Sequence, residues 1–211
     1  MKIIDITLPM SNQTPVWEGD KGIIIRQVAS LSKGSDFNVS RAEFGVHAGT
    51  HIDAPFHVFN YGYTVDKTPL DILIGPVQVV RIDDSIEIIT REVLLKAGFV
   101  KSTQRLLLKT RNSDYWIKDP YRFNREFVAI DSSAAEFLVE ESVSFVGIDY
   151  FSISPFIDLK APHEILLRAG IVILENAYLV NVEPGTYNLI CLPLSLVGTD
   201  GAPVRAVLTT E

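Results

Sequence analysis

The stretch "HAGTHIDAPFH", from His47 to His57, contains three of the four histidines in the chain. An aspartate, Asp53, lies between the second and third of these histidines. The residues before the stretch have the pattern of a strand. Gly49 and Pro55 disfavour a helix, so the segment is predicted to be a loop that leaves a strand. A bent loop can bring several side chains to one point, and imidazole gathered with carboxylate is typical of a site for zinc, manganese or ferrous iron.

Two other interpretations of these histidines compete with a catalytic metal site. Histidines can hydrogen-bond locally within a core, but three of them with an aspartate at this density favour a metal. A closed structural zinc site relies heavily on cysteine. The only cysteine, Cys191, lies in the apolar run "LICLPLSL", where a buried and inert thiol is expected. A mixed shell of histidine and aspartate with room for water is therefore interpreted as catalytic.

Two remote residues are candidates to complete the site. His163, the remaining histidine, opens the predicted helix "APHEILLRAG". Glu175 ends the apolar strand "GIVILEN", where an acid must be solvated, paired or bound to a metal. Glu164 is a competing carboxylate, but a glutamate in the first turn of a helix interacts favourably with the helix dipole, so we interpret it as structural.

Composition limits the class of protein. A chain of 211 residues fits one domain, predicted to cover residues 1–211, and 47% hydrophobic residues predict a substantial core. The net charge of −7 argues against nucleic acid or an anionic membrane as a partner. No run approaches the ~20 apolar residues that span a bilayer, and the first residues do not resemble a signal peptide. A soluble cytoplasmic protein is expected.

The pattern of short apolar runs predicts a mixed α/β domain, in which a largely β framework carries a few surface helices. Predicted helices are "TREVLLKAG", with Thr90 as its cap and Gly98 as its stop, and "SSAAEFLVEES", capped by its two serines. The third is "APHEILLRAG", with Pro162 in its first turn and Gly170 at its end. The predicted strands are "KIIDITL", "GIIIRQVA", "NVSRAEFGV", "PVQVVRI", "RLLLKT", "EFVAI", "SVSFVGI", "GIVILEN", "YNLICLPL" and "PVRAVLT".

The sequence resembles the cyclase family of metal-dependent hydrolases, which includes bacterial kynurenine formamidase (arylformamidase) and isatin hydrolase. "HAGTHIDAPFH" matches the family motif His-x-Gly-Thr-His-x-Asp-x-Pro-x-His at every fixed position. The resemblance extends to "IDITLPMSNQTPVWEGD", "VGIDYFSI" and the C-terminal block that begins with "GIVILEN". One departure is that Tyr150 and Phe151 follow "GID", where the formamidases carry threonine and proline. The side chains that shape the pocket are therefore expected to differ.

The resemblance implies a role for each candidate. His47, His51 and Asp53 would hold one divalent metal. Asp53 and Glu175 would be shared with a second ion, which His163 would also bind. Zinc or manganese is expected, with two ions in each subunit.

The resemblance also implies a reaction and an assembly. His57 would be the catalytic proton carrier, and Trp17 would form an aromatic wall of the substrate pocket. The implied reaction is hydrolysis of a small amide by metal-activated water, with an aryl formamide such as N-formylkynurenine favoured. The alternatives are a cyclic amide of the isatin type, or a non-catalytic family member that binds metal or a small ligand. A swivelling β/β/α domain and a homo-oligomer, dimer or tetramer, are also implied.

Overall fold

The computed structural model describes residues 1–210, which form a barrel of seven strands with helices packed on its outside. The strands are β1 (Lys2–Asp5), β2 (Ile24–Ala29), β3 (Val39–Glu43), β4 (His51–Asp53), β5 (Ile74–Arg81), β6 (Ile88–Ile89), β7 (Arg105–Lys109), β8 (Ala129–Ile130), β9 (Phe145–Ile148), β10 (Val172–Glu175), β11 (Gly185–Pro193) and β12 (Gly201–Thr210). The α-helices are α1 (Leu70–Leu73), α2 (Arg91–Lys96), α3 (Tyr115–Lys118), α4 (Ser132–Glu140) and α5 (Ala161–Arg168). Short 3-10 helices cover Leu31–Lys33, Pro55–His57, Val65–Lys67 and Arg111–Asp114.

The barrel closes because β12 pairs with strands on both of its sides. Around the barrel the order is β12, β11, β5, β7, β9, β10 and β4, and β4 pairs again with the start of β12. The far end of β12 pairs with β1. The pairs β5–β7, β7–β9 and β9–β10 are parallel. The other four pairs around the barrel are antiparallel. Two separate pairs, β2 with β3 and β6 with β8, lie outside the barrel.

Alternation along the strands divides the core into two layers. Successive side chains of a strand point to opposite faces. In β7, Leu107 packs inside the barrel, whereas Leu106 and Leu108 pack outside it against the helices. Because both faces are covered, the central residues of β7, β9 and β10 are apolar without interruption, as expected for parallel sheets. Gly147 faces the barrel interior, where a Cβ atom would lie 2.5 Å from Leu107 Cδ2 and 3.2 Å from Leu174 Cβ.

The sheet-dominated, mixed α/β class predicted from the sequence is confirmed. Each of the ten predicted runs overlaps a strand. The loop prediction is wrong for His51–Asp53, which form β4, because these residues complete the barrel by pairing with β10 and β12. The narrower expectations of a swivelling β/β/α domain and of one domain over residues 1–211 stay predictions.

The three predicted helices are present, with one change at a cap. Thr90 caps α2 by accepting a hydrogen bond from the Val93 N–H. The two serines do not cap α4, because Asp131 lies in the extended conformation one residue earlier and accepts a hydrogen bond from the Ala134 N–H. None of the helices described for residues 1–210 combines the length and the apolar composition of a membrane span.

Candidate metal centre

The fold brings four of the predicted site residues together in a buried cluster. His51 and Asp53 lie on β4, and Glu175 ends the neighbouring strand β10, where it pairs with His51 in register. His163 lies in the first turn of α5. All four residues are buried, with exposed fractions between 1% and 6%. Residues that are far apart in the chain therefore converge on one point.

The distances within this cluster fit a metal ion. His51 Nε2 lies 3.5 Å from Asp53 Oδ1 and 3.4 Å from Glu175 Oε2. His163 Nε2 lies 3.1 Å from Glu175 Oε1 and 3.6 Å from Asp53 Oδ2. Among residues 1–210, His51 Nε2 and Asp53 Oδ2 find no hydrogen-bond partner. Buried polar atoms are normally satisfied, so two unpaired ligand atoms within one buried cluster of imidazoles and carboxylates indicate a site for a cation.

A second group of candidate ligands shares Asp53 with the first. His47 Nδ1 lies 2.8 Å from Asp53 Oδ1. Ligand atoms of His47, Asp53 and His57 lie within 4.8 Å of one another, as do those of His51, Asp53 and Glu175. The His57 side chain is 33% exposed, unlike the buried cluster, and its ring centroid lies 4.3 Å from that of His47. Asp53 belongs to both groups of candidate ligands, and a shared carboxylate is suited to a pair of neighbouring divalent ions.

The histidines and the carboxylates of the site shift one another's pKa values. Burial alone would lower the pKa of His163, but Asp53 and Glu175 outweigh it and raise that pKa to about 10. Burial would likewise lower the pKa of His47, but Asp200 and Asp53 outweigh it and raise that pKa to about 10. Conversely, burial would raise the pKa of Asp53, but His163 and His47 hold it well below its usual range. A divalent cation competes with these protons for the same lone pairs, so binding releases protons.

Backbone acceptors orient two of the imidazoles. His51 Nδ1 lies 2.9 Å from the Gly49 carbonyl oxygen, and His163 Nδ1 lies 2.8 Å from that of Leu159 and 2.6 Å from the Ser154 hydroxyl oxygen. A carbonyl oxygen can only accept, so Nδ1 donates in both rings and Nε2 faces the carboxylates. This arrangement fixes ring orientation in the way that hydrogen-bonded metal ligands require.

Sequence reasoning missed two residues that contact the site. Asn176 adopts a left-handed backbone conformation, with φ of 55°, and its side-chain N–H donates to the Gly49 carbonyl oxygen that also accepts from His51. Asp200 Oδ2 lies 2.7 Å from His47 Nε2 and 3.4 Å from His57 Nδ1. In "VGTDGAP", an aspartate before a glycine has the local pattern of a turn, so nothing near it indicated the site.

A cavity of about 420 Å³ opens onto the cluster. Trp17 lines it and packs against Phe123 and Phe156, with ring centroids 5.0 Å and 5.6 Å away. Phe151, one of the two residues that depart from the formamidase pattern, lines the same cavity. The remaining lining residues are Asp20, His47, His51, His57, Val58, Ser152, Leu159, His163 and Glu175. The cavity thus has a polar floor and an aromatic wall.

The fold and this site define a sheet-dominated α/β protein with a candidate metal centre beneath an aromatic-walled cavity. The chain belongs to the cyclase family, because the family model described as "Putative cyclase" matches residues 4–155. The family resemblance recognised in the sequence is confirmed.

Individual relatives match over almost the whole chain. Kynurenine formamidase of Salinibacter ruber (strain DSM 13855 / M31) is 37% identical over 210 residues, which cover 99% of this chain and 97% of that protein. Cyclase-like protein 3 of Arabidopsis thaliana is 37% identical over 215 residues, which cover 98% of this chain and 79% of that protein. A solved structure described as a "Potential Metal-Dependent Hydrolase With Cyclase Activity" has a TM-score of 0.85 and 31% identity, covering 100% of this chain and 98% of that one.

Proposed function

We propose that this protein is a metal-dependent hydrolase that cleaves a small amide, with an aryl formamide such as N-formylkynurenine as the favoured substrate. The observation that carries the proposal is the convergence of buried imidazoles and carboxylates beneath the cavity, with His51 Nε2 and Asp53 Oδ2 unpaired among residues 1–210. The similarity to kynurenine formamidase over nearly all of both chains supports the substrate class.

Five residues would hold the metal. His47, His51 and Asp53 would bind one ion, and Asp53 and Glu175 would be shared with a second ion that His163 also binds. Imidazole combined with carboxylate suits zinc or manganese. When bound, such ions lower the pKa of water towards ~7 and polarise a carbonyl oxygen.

His57 is suited to carry the proton that the reaction requires. Hydrolysis of a formamide adds water to the formyl carbon and breaks the C–N bond, giving formate and a free amine. The leaving nitrogen must gain a proton, which a positioned imidazole delivers efficiently. His57 borders the cavity and is partly exposed, so it can reach substrate as the buried histidines cannot.

The aromatic wall is suited to an aryl group. Trp17 and Phe151 border the cavity, and both belong to a cluster of aromatic rings that contact one another. A planar ring on the substrate would gain offset or edge-to-face packing against such a wall, worth about 0.5–1.5 kcal/mol beyond its buried area.

The test is hydrolysis of N-formylkynurenine by protein of known metal content. Chelation should abolish formate release, and adding zinc or manganese should restore it. His57→Gln should keep its metal and lose most turnover. Glu164→Gln, which neutralises a carboxylate beside His163 but outside the cavity, is the matched control and should match the parent protein. Full activity without metal would overturn the proposal. Bound metal without hydrolysis of any amide would favour the binding-protein alternative.

We also propose that the protein is a homo-oligomer, with a second copy covering the hairpin formed by β2 and β3. All five residues of β3 and five of the six in β2 are exposed, including Ile24, Val28 and Val39. An isolated two-stranded sheet is at best marginally stable in water. Light scattering should give the mass of a dimer or tetramer, and Val28→Lys should lower it. A monomer at micromolar concentration would refute this assembly.

A further inference from the structure

Asp200 lies where one carboxylate oxygen can reach two of the site histidines. Its Oδ2 atom is 2.7 Å from His47 Nε2 and 3.4 Å from His57 Nδ1. The backbone of Asp200 is held in place, because its carbonyl oxygen accepts a hydrogen bond from the Ala54 N–H. The next residue, Gly201, pairs with Asp53 between β12 and β4. The barrel itself therefore places this carboxylate.

The His47 ring lies between two carboxylates of different character. Its Nδ1 faces Asp53, which is buried and shared with the inner cluster, whereas its Nε2 faces Asp200, whose side chain is 39% exposed. Room for the ring depends on Gly201, since a Cβ atom there would lie 2.9 Å from His47 Cε1. A carboxylate at Nε2 favours a proton on that nitrogen. The Nδ1 lone pair is then the one available to a cation beside Asp53.

This orientation is opposite to that of the two inner histidines. His51 and His163 donate from Nδ1 to backbone carbonyl oxygens and turn Nε2 towards the carboxylates. Among residues 1–210, no backbone carbonyl oxygen accepts a hydrogen bond from His47. The Asp200 carboxylate accepts it instead. Outer hydrogen-bond partners of this kind set which nitrogen of a histidine binds a metal.

The Oδ2 atom of Asp200 also contacts His57. The 3.4 Å distance joins it to Nδ1, which leaves Nε2 as the nitrogen free to serve the cavity. A carboxylate that accepts a hydrogen bond from one nitrogen of a proton-carrying imidazole holds the ring in orientation. Asp200 thus contacts both His47, a proposed metal ligand, and His57, the proposed proton carrier.

We propose that Asp200 is a positioning residue, which holds His47 with Nδ1 presented for metal binding and orients the ring of His57. The metal and the role of His57 rest on the proposed function. The orientation of the two rings is a property of this chain that metal binding can test without turnover.

The first experiment measures zinc binding by competition with a chromophoric chelator. Asp200→Ala should weaken the affinity for the ion that His47 binds by about 10–100-fold and leave the affinity for the other ion unchanged. Two ions should still bind at saturating zinc. Asp200→Glu should recover part of the affinity. Asp20→Ala, which removes the same charge from the same cavity, is the matched control and should change zinc affinity by less than about threefold. Unchanged affinity in Asp200→Ala would overturn the proposal. Loss of one ion even at saturation would also overturn it, by making Asp200 a direct ligand.

The second experiment identifies the protonated nitrogen of each imidazole. Long-range nitrogen-15 spectra of the zinc-loaded protein should show the His47 proton on Nε2 and zinc on Nδ1, and Asp200→Ala should show a fraction of the protein with the two nitrogens exchanged. A proton on Nδ1 in the parent protein would refute the proposal.

The third experiment asks whether Asp200 acts through His57. With zinc saturating, Asp200→Ala should lower kcat more than it changes KM. Adding Asp200→Ala to His57→Gln should cause no further loss, and multiplying losses would contradict a role through His57. If the parent protein binds zinc but hydrolyses no amide, the proposed function fails while the first two experiments still decide the role of Asp200.

Discussion

Replacing Asp149 with asparagine should remove a pH dependence of stability that this buried carboxyl imposes. Asp149 follows β9 and is fully buried. Its Oδ2 atom accepts hydrogen bonds from the Thr110 N–H at 2.8 Å, the Ser113 N–H at 3.1 Å and the Ser113 hydroxyl at 2.6 Å. Its Oδ1 atom accepts from the Thr110 hydroxyl at 2.8 Å. These bonds anchor the chain just before Tyr150 and the cavity residue Phe151.

The magnitude follows from the balance of burial and hydrogen bonding. Burial raises the pKa of Asp149 from 3.8 to about 6, and the hydrogen bonds from Ser113 and Thr110 offset only part of the effect. One pKa unit corresponds to about 1.4 kcal/mol, so ionisation of Asp149 costs the folded state on the order of 3 kcal/mol. Because the pKa is higher in the folded state, the folded protein binds more protons between about pH 4 and pH 6. The contribution of Asp149 to stability therefore falls as the pH rises through this range.

Asparagine should keep the contacts without this cost. Its oxygen can accept from the Thr110 and Ser113 N–H groups, and its amide can donate to the Thr110 hydroxyl oxygen. The free energy of unfolding of Asp149→Asn relative to the parent protein should therefore rise with pH, by on the order of 3 kcal/mol between about pH 4 and pH 7.

Urea unfolding of both proteins across this pH range measures the difference directly. Asp36→Asn, at an exposed carboxylate, is the control and should show a difference that is independent of pH. A difference for Asp149→Asn that stays constant within about 1 kcal/mol would refute a raised pKa. A difference that falls with pH would show that hydrogen bonding outweighs burial.

Three further outcomes are expected. His163→Ala should lower the zinc content measured by mass spectrometry, and an unchanged content would remove it as a ligand. Trp17→Leu should raise KM for an aryl formamide more than for a non-aromatic one in steady-state assays, and equal effects would argue against an aromatic wall. Gly147→Ala should lower the free energy of unfolding by about 1–3 kcal/mol in urea titrations, because its Cβ would lie 2.5 Å from Leu107 Cδ2. An unchanged midpoint would show that the barrel interior accommodates the added methyl group.

Much of the candidate site could be predicted because its chemistry is concentrated in a short segment. Three histidines and an aspartate within "HAGTHIDAPFH" stand out in a chain with four histidines. His163 and Glu175 could be proposed because each ends or begins an apolar element, where a polar group needs a partner. Asp200 could not, because its local sequence is that of any turn and only its distance from His47 distinguishes it.

The sequence by itself determined which side chains could bind a cation and which runs would become strands. Both properties are local: donor atoms are intrinsic to a side chain, and alternation along β7 decides that Leu107 and its neighbours face opposite layers. Tertiary structure alone decided that His51–Asp53 would form a strand and that Glu175 would pair with His51. It also placed Asp200 beside two histidines, more than 140 residues away in the chain. Such pairings depend on closing the whole barrel, since a three-residue strand is stable only between β10 and β12, which lie more than 115 residues further along the chain.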